Sequence, residues 1–168
     1  QTPEPVVYWG TGGERICDRY ALDPFSKIIW KRSGALLLGP DHRDRIPGPT
    51  QAELMDAVQK HYLTIRKHGK GGPSVYAAGW MLDTARCLYT LRTGNVIAKT
   101  EAGEWALAHG LAPEPDVLRR ALDIRRDPLV HRENEQSRAW LAELTPSIQA
   151  FADVLGEALE RARSVQTC

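Results

Sequence analysis

Residues 74–94 read SVYAAGWMLDTARCLYTLRTG, and the spacing of their apolar positions sets the architecture of the whole chain. Val75, Ala78, Leu82, Ala85 and Tyr89 recur every three or four residues, which places them on one face of a helix. Ser74 follows Pro73 at the point where that helix starts. Gly94 stands just beyond its last turn, where glycine adopts the left-handed backbone of a terminal cap most easily. This helix is expected to be the central one.

Working outward, Thr50-Gln51-Ala52-Glu53 is a capping box, in which hydroxyl and carboxylate satisfy free amide donors at a helix start. Met55, Val58, Tyr62 and Ile65 then form one stripe that lasts to the glycine-rich break at residues 69–73. Downstream, Thr100 reads as the cap of a short helix that carries Trp105 and Leu107 and stops at Gly110. Asp116 reads as the cap of another with Val117, Leu118, Ala121, Leu122 and Ile124, ended by Asp127-Pro128. Residues 133–163 are periodic throughout, with Trp140, Leu141 and Leu144 before Thr145-Pro146 and Ile148, Phe151, Ala152, Leu155 and Leu159 after it. Threonine followed by proline predicts a new cap or a kink. The expectation is a mainly α protein, an antiparallel bundle of about five helices over residues 49–168.

The first 48 residues have a different pattern. Val6-Val7-Tyr8-Trp9 predicts a strand with a turn at Gly10-Thr11-Gly12-Gly13. Asp23-Pro24 supplies a cap and first-turn proline for a helix through about Arg32, and Ala35-Leu36-Leu37-Leu38 predicts a second strand closed by Gly39-Pro40. Residues 41–49 are rich in charge, with one glycine and two prolines, and read as a linker. A small α/β segment, residues 1–48, with a boundary near Pro49 is expected.

Composition narrows the function classes. At 168 residues, 42% apolar and 26% charged, the chain can bury one substantial core. Twenty-two basic against 21 acidic side chains leave no global field to draw it onto nucleic acid or an anionic membrane. Cys17, Cys87 and Cys168 are odd in number and far apart, which argues against a disulfide framework or a zinc knot. No apolar run is long enough to span a membrane and no secretory pattern opens the chain, so a cytoplasmic location is expected. The missing initiator methionine suggests a piece of a longer protein.

Arg86-Cys87-Leu88-Tyr89-Thr90-Leu91-Arg92-Thr93-Gly94-Asn95-Val96-Ile97-Ala98-Lys99, followed by Trp105-Ala106, resembles the signature of the C-terminal helical domain of aminoglycoside adenylyltransferases. Residues 35–40 are similar to the last strand of that family's catalytic domain and residues 151–159 to its final helix. The resemblance covers roughly residues 24–160. It implies the helical part of a nucleotidyltransferase associated with antibiotic resistance, which binds a small-molecule substrate and closes over ATP and magnesium held by an N-terminal catalytic domain. It also implies phosphate contacts from Arg86 and Lys99, with Arg125 as a third candidate, and a substrate groove at Tyr76, Trp80 and Asp83. The spacing is compatible: a guanidinium and an ammonium on either side of the Thr93-Gly94 turn can converge, and Lys99 stands at a helix start that attracts anions. The competing arrangement has Arg86 paired with Asp83 or Glu104 and Lys99 as a solvated loop charge.

Two departures from the family pattern qualify this. Nucleotidyl transfer needs closely spaced metal-binding carboxylates, and no Asp-x-Asp occurs in the chain. Glu114-Pro115-Asp116 and Glu133-Asn134-Glu135 are better explained as helix-start acids, so the chain by itself is expected to supply neither catalytic residue nor metal ligand. The span Ser74 to Trp80 also lacks any carboxylate and follows Arg66, Lys67, His68 and Lys70, which argues against a polycationic substrate. Two other readings remain: a free-standing helical module for a small molecule or partner, and a bundle-type ribonuclease using His131 as base and Arg126 as phosphate stabiliser. Among lesser features, Asp41 to Asp44 reads as solvated linker and His61 and His68 as solvent-facing. Cys87 reads as a core residue, and Glu157 with Arg161 as a surface pair.

Overall fold

The computed structural model describes residues 6–10, 13–17 and 22–166. Val6–Gly10 (β1) and Gly13–Cys17 (β2) form an antiparallel hairpin in which Trp9 faces Glu14 and Gly10 faces Gly13. The first strand is the one that Val6-Val7-Tyr8-Trp9 predicts; the second, Gly13–Cys17, is an addition to that reading. All the remaining regular structure among the described residues is helical: Pro24–Ser33 (α1), Gln51–His68 (α2), Ala78–Thr93 (α3), Lys99–Ala108 (α4), Pro115–Arg126 (α5), Pro128–Arg132 (α6), Glu135–Ala142 (α7) and Thr145–Gln166 (α8).

Local chemistry explains where the helices begin and end. Asp23 Oδ1 accepts from the amides of Phe25 and Ser26 at 2.9 and 3.0 Å, and Pro24 occupies the first turn of α1, where no amide is needed. At α2 the capping box closes as expected, Glu53 N donating to Thr50 Oγ1 at 3.2 Å and Thr50 N to Glu53 Oε2 at 2.7 Å. A 3₁₀ turn, Val75–Ala77, precedes α3, and Gly94 ends it with φ +67 and a 2.9 Å bond to Thr90 O.

Two starts differ from expectation. The cap of helix α4 is Ala98, not Thr100, and the helix begins at Lys99, because Glu101 Oε2 reaches back to accept from Ala98 N at 3.2 Å. Helix α5 begins at Pro115, whose ring fixes a helical φ, and Asp116 therefore lies inside its first turn. The tail divides at Thr145-Pro146 as the sequence suggests, and α6 adds a short helix where only a break was expected.

Helix α3 packs against α2, α4, α5 and α8, as its two-sided apolar content requires. Around it Val58, Ile65, Met81, Leu82, Leu118, Ile148, Phe151 and Leu155 are fully buried. Each such side chain contributes about 1.5–3 kcal/mol of transfer free energy. The glycine-rich segment after α2 presses on the end of α7: Gly72 N donates to Leu141 O at 2.9 Å and Gly71 N to Thr145 Oγ1 at 2.8 Å. A Cβ at Gly71 would stand 2.4 Å from Ala142 O, so only glycine fits.

The expected strand at Ala35–Leu38 is not formed. That segment is irregular, with Leu37 and Leu38 each 93% exposed, because an apolar run becomes a strand only when a partner satisfies its amides, and the described residues offer none. Nor are residues 41–49 a loose tether. Arg43–Arg45 forms a 3₁₀ turn, Arg43 pairs with Asp41 and donates to Gly34 O at 3.0 Å, and Lys31 Nζ donates to Ile46 O at 2.7 Å. The hydrogen bonds from Arg43 hold the Asp41 carboxyl down at about 2. Phe25 of α1 belongs to the same core cluster as α2 and α3. No helix among the described residues is long and apolar enough to cross a membrane.

Candidate functional site

The junction of α3 and α4 gathers the charges. Asp83 stands on α3, one turn before Arg86, and Lys99 is the first residue of α4, returned to the same spot by the Gly94 bend. Arg86 Nη2 donates to Asp83 Oδ1 and Lys99 Nζ donates to Asp83 Oδ2, each at 2.7 Å. The two cations therefore converge, and a carboxylate lies between them. Arg86 matches the competing arrangement proposed for it; Lys99, half-buried and ion-paired, is no solvated loop charge.

Behind this triad, the Arg86 guanidinium lies 5.0 Å from the centre of the Phe25 ring, whose other neighbour is the His61 imidazole, stacked at 4.9 Å. His61 is thus packed between α1 and α2 and does not face solvent as expected; burial pushes its pKa down, with Asp83 pulling up and Arg86 pushing further down. His68 is exposed. Arg86 Nε is buried without a hydrogen-bond partner.

A cleft of about 450 Å³ opens on the other side of Lys99. Tyr76 from the 3₁₀ turn, Trp80 and Asp83 from the first half of α3, Lys99 from α4, Arg125 from the end of α5, and Pro128 and Arg132 from α6 line it. Five of the six residues singled out from sequence thus share one cavity. Arg86 does not: it lines a shallower opening with Ser26, Ile29, Trp30 and Ser33. Sequence reasoning missed Arg132, because Pro128 was read as the end of a helix when it is also the first residue of α6. Proline at a first helical position was the signal available.

Other candidates are engaged elsewhere. Arg126 donates to Glu104 Oε1 at 2.6 Å and to Asp123 at 3.3 Å, while the His131 ring is hydrogen-bonded to the buried Ser137 hydroxyl at 2.9 Å. The proline after Asp127 also puts Arg126 and His131 on different helices. No group of three His, Cys, Asp or Glu side chains among the described residues is placed to hold a metal ion. Cys87 is buried, and burial raises its thiol pKa well above the usual range, so it is an inert core residue.

Residues 45–158 match the family model for the aminoglycoside adenylyltransferase C-terminal domain. The chain belongs to that family. No curated protein and no solved structure matches it. The adenylyltransferase C-terminal domain match contains the Arg86-to-Lys99 stretch and all the cleft residues, and it begins after the exposed Leu36 to Leu38 segment. The similarity of residues 35–40 to a catalytic-domain strand therefore has neither a strand nor the family match behind it.

Proposed function

We propose that this domain closes over the phosphates of ATP held by a nucleotidyltransferase catalytic domain. In this reading Lys99 and Arg125 meet the phosphates, and Arg86 keeps Lys99 in place through Asp83. The observation that carries it is the Asp83 carboxylate joining Arg86 and Lys99 at the wall of a cleft that also receives Arg125. Half-buried Lys99 is aimed and partly desolvated before any ligand arrives, so little ordering is required when a phosphate oxygen joins it. The residues present suit the phosphates. They do not suit magnesium, for which the described residues offer no carboxylate cluster, so in this proposal the metal ligands belong to the catalytic domain. A cytoplasmic location goes with the reading, since ATP is the nucleotide of that compartment.

The test is an ATP titration of this chain joined to its catalytic domain. Lys99→Ala is expected to weaken binding by roughly tenfold or more, the size of one lost charge-assisted hydrogen bond. Arg86→Ala is expected to weaken it less, by loosening the Asp83 side chain that aims Lys99 and leaving its charge to Lys99 alone. Unchanged affinity in both variants would remove the assignment.

A second reading is a free-standing small-molecule module, favoured by a cleft built wholly from this chain's α3 to α6. Full-strength ATP binding without any catalytic domain would favour it.

A further inference from the structure

Charge in the cleft is one-sided. Lys99, Arg125 and Arg132 line it together with a single carboxylate, Asp83. Both oxygens of Asp83 are already engaged, by Arg86 and by Lys99. Arg125 and Arg132 are exposed and have no ion-pair or hydrogen-bond partner among the described residues. Unpaired guanidiniums beside a spent carboxylate repel a polyamine and attract an anion.

The apolar lining has its own direction. Tyr76, 58% exposed, stands on the 3₁₀ turn, and Trp80 lies one turn further along. Neither ring stacks on another ring or on a cation among the described residues, whereas Phe25, Trp105 and Trp140 all do. Helix α6, which carries Arg132, packs against the turn that carries Tyr76. A guanidinium, the exposed Tyr76 ring and the partly buried Trp80 ring are therefore placed in one cavity, beside the Lys99 and Arg125 pair assigned above to phosphates.

We infer that the second ligand of this cleft is a planar anion, an aromatic phosphate or carboxylate, held by Arg132 and stacked on Tyr76 and Trp80, and that polycationic aminoglycosides are excluded from it. The inference rests on the reading of this cleft as a ligand site and adds the class of ligand it takes. Stacking suits a flat body because every aromatic face is equivalent to it, and the Arg132 fork suits a carboxylate or phosphate with two oxygens to offer.

Calorimetric titration of the full chain at low salt with three probes tests it: 4-nitrophenyl phosphate, inorganic phosphate and kanamycin. 4-Nitrophenyl phosphate is expected to bind about threefold or more tighter than phosphate, the increment due to stacking, and Trp80→Ala with Tyr76→Ala should remove that preference. Arg132→Gln should weaken the aromatic probe by roughly tenfold. Because Arg132 is exposed, its thermal melt should match that of the parent chain. Kanamycin should show no saturable binding. Kanamycin binding as tightly as 4-nitrophenyl phosphate, indifference to Arg132→Gln, or no binding of the aromatic probe would each overturn the inference. The ATP result in Lys99→Ala stands apart: loss of the Arg132 effect alone sinks the ligand class, and loss of the Lys99 effect alone sinks the phosphate reading.

Discussion

At Asp83 two cations depend on one carboxylate. The Asp83 and Arg86 side chains are each only 14% exposed, so removing the carboxylate charge would strand a guanidinium in a poorly solvated place. Breaking such a pair costs more than the pair contributes. Asp83→Asn is therefore expected to lower unfolding free energy by about 2 kcal/mol or more in urea, with part recovered by adding Lys99→Met. An unchanged urea midpoint would show that the triad is only a surface pair. Arg161, by contrast, faces solvent 3.5 Å from Glu157, and its loss should leave the midpoint where it is.

His61 carries the residue-scale pH dependence. Burial disfavours its charged form most; Asp83 and Asp23 favour that form, and Arg86 and Lys99 oppose it. Because the folded pKa lies below the ordinary 6.5, the unfolded chain takes up the proton more readily. Stability is then full above that value and declines as pH falls through it. Urea midpoints measured from about pH 7.5 down to about pH 5.5 should fall, and His61→Phe should flatten the fall. An identical slope in His61→Phe would assign the effect to other groups.

At the scale of the element, helix ends carry more of the site than helix middles. Gly94 turns the chain so that α4 starts beside α3, and it does so at φ +67, with Gln51 Oε1 only 2.9 Å from where a Cβ would lie. Gly94→Ala should destabilise by about 1–2 kcal/mol, read as a lowered thermal midpoint. It should also loosen Lys99, because the bend is what delivers it. The start of α2 was legible, because both partners of the Thr50 and Glu53 box lie within one turn, whereas Ser74 marks the 3₁₀ turn that leads into α3 and the α-helix itself begins at Ala78. The start of α4 was not legible: Thr100 has the chemistry of a cap, yet Glu101 reached back to Ala98, two residues before it. Pro128 was ambiguous for a related reason, since one residue both ends α5 and opens α6.

At the scale of the molecule, burial separates what stabilises from what is merely apolar. Phe151 on α8 is fully buried in the core around α3, and Phe151→Ala should cost about 3–5 kcal/mol. Leu37 and Leu38 are equally apolar by sequence but stand in solvent, so replacing both with serine should shift stability by less than about 0.5 kcal/mol. Chemical denaturation of the two variants side by side checks both values, and a large loss in the leucine variant would mean the segment is covered in solution.

Periodicity by itself determined that this chain is mainly helical and that the helix of residues 78–93 is its hub, because the pattern that buries one face is written in adjacent turns. It also brought Arg86, Lys99 and Asp83 within one bend of each other. Only the tertiary structure decided that Asp83 stands between the two cations, that Arg86 opens away from the cleft, and that Arg132 enters it. Those outcomes depend on how α1, α3, α5 and α6 pack, which is a matter of contacts between residues far apart in sequence. Spacing along one helix fixes the direction of a side chain, and the neighbouring helices fix what it meets.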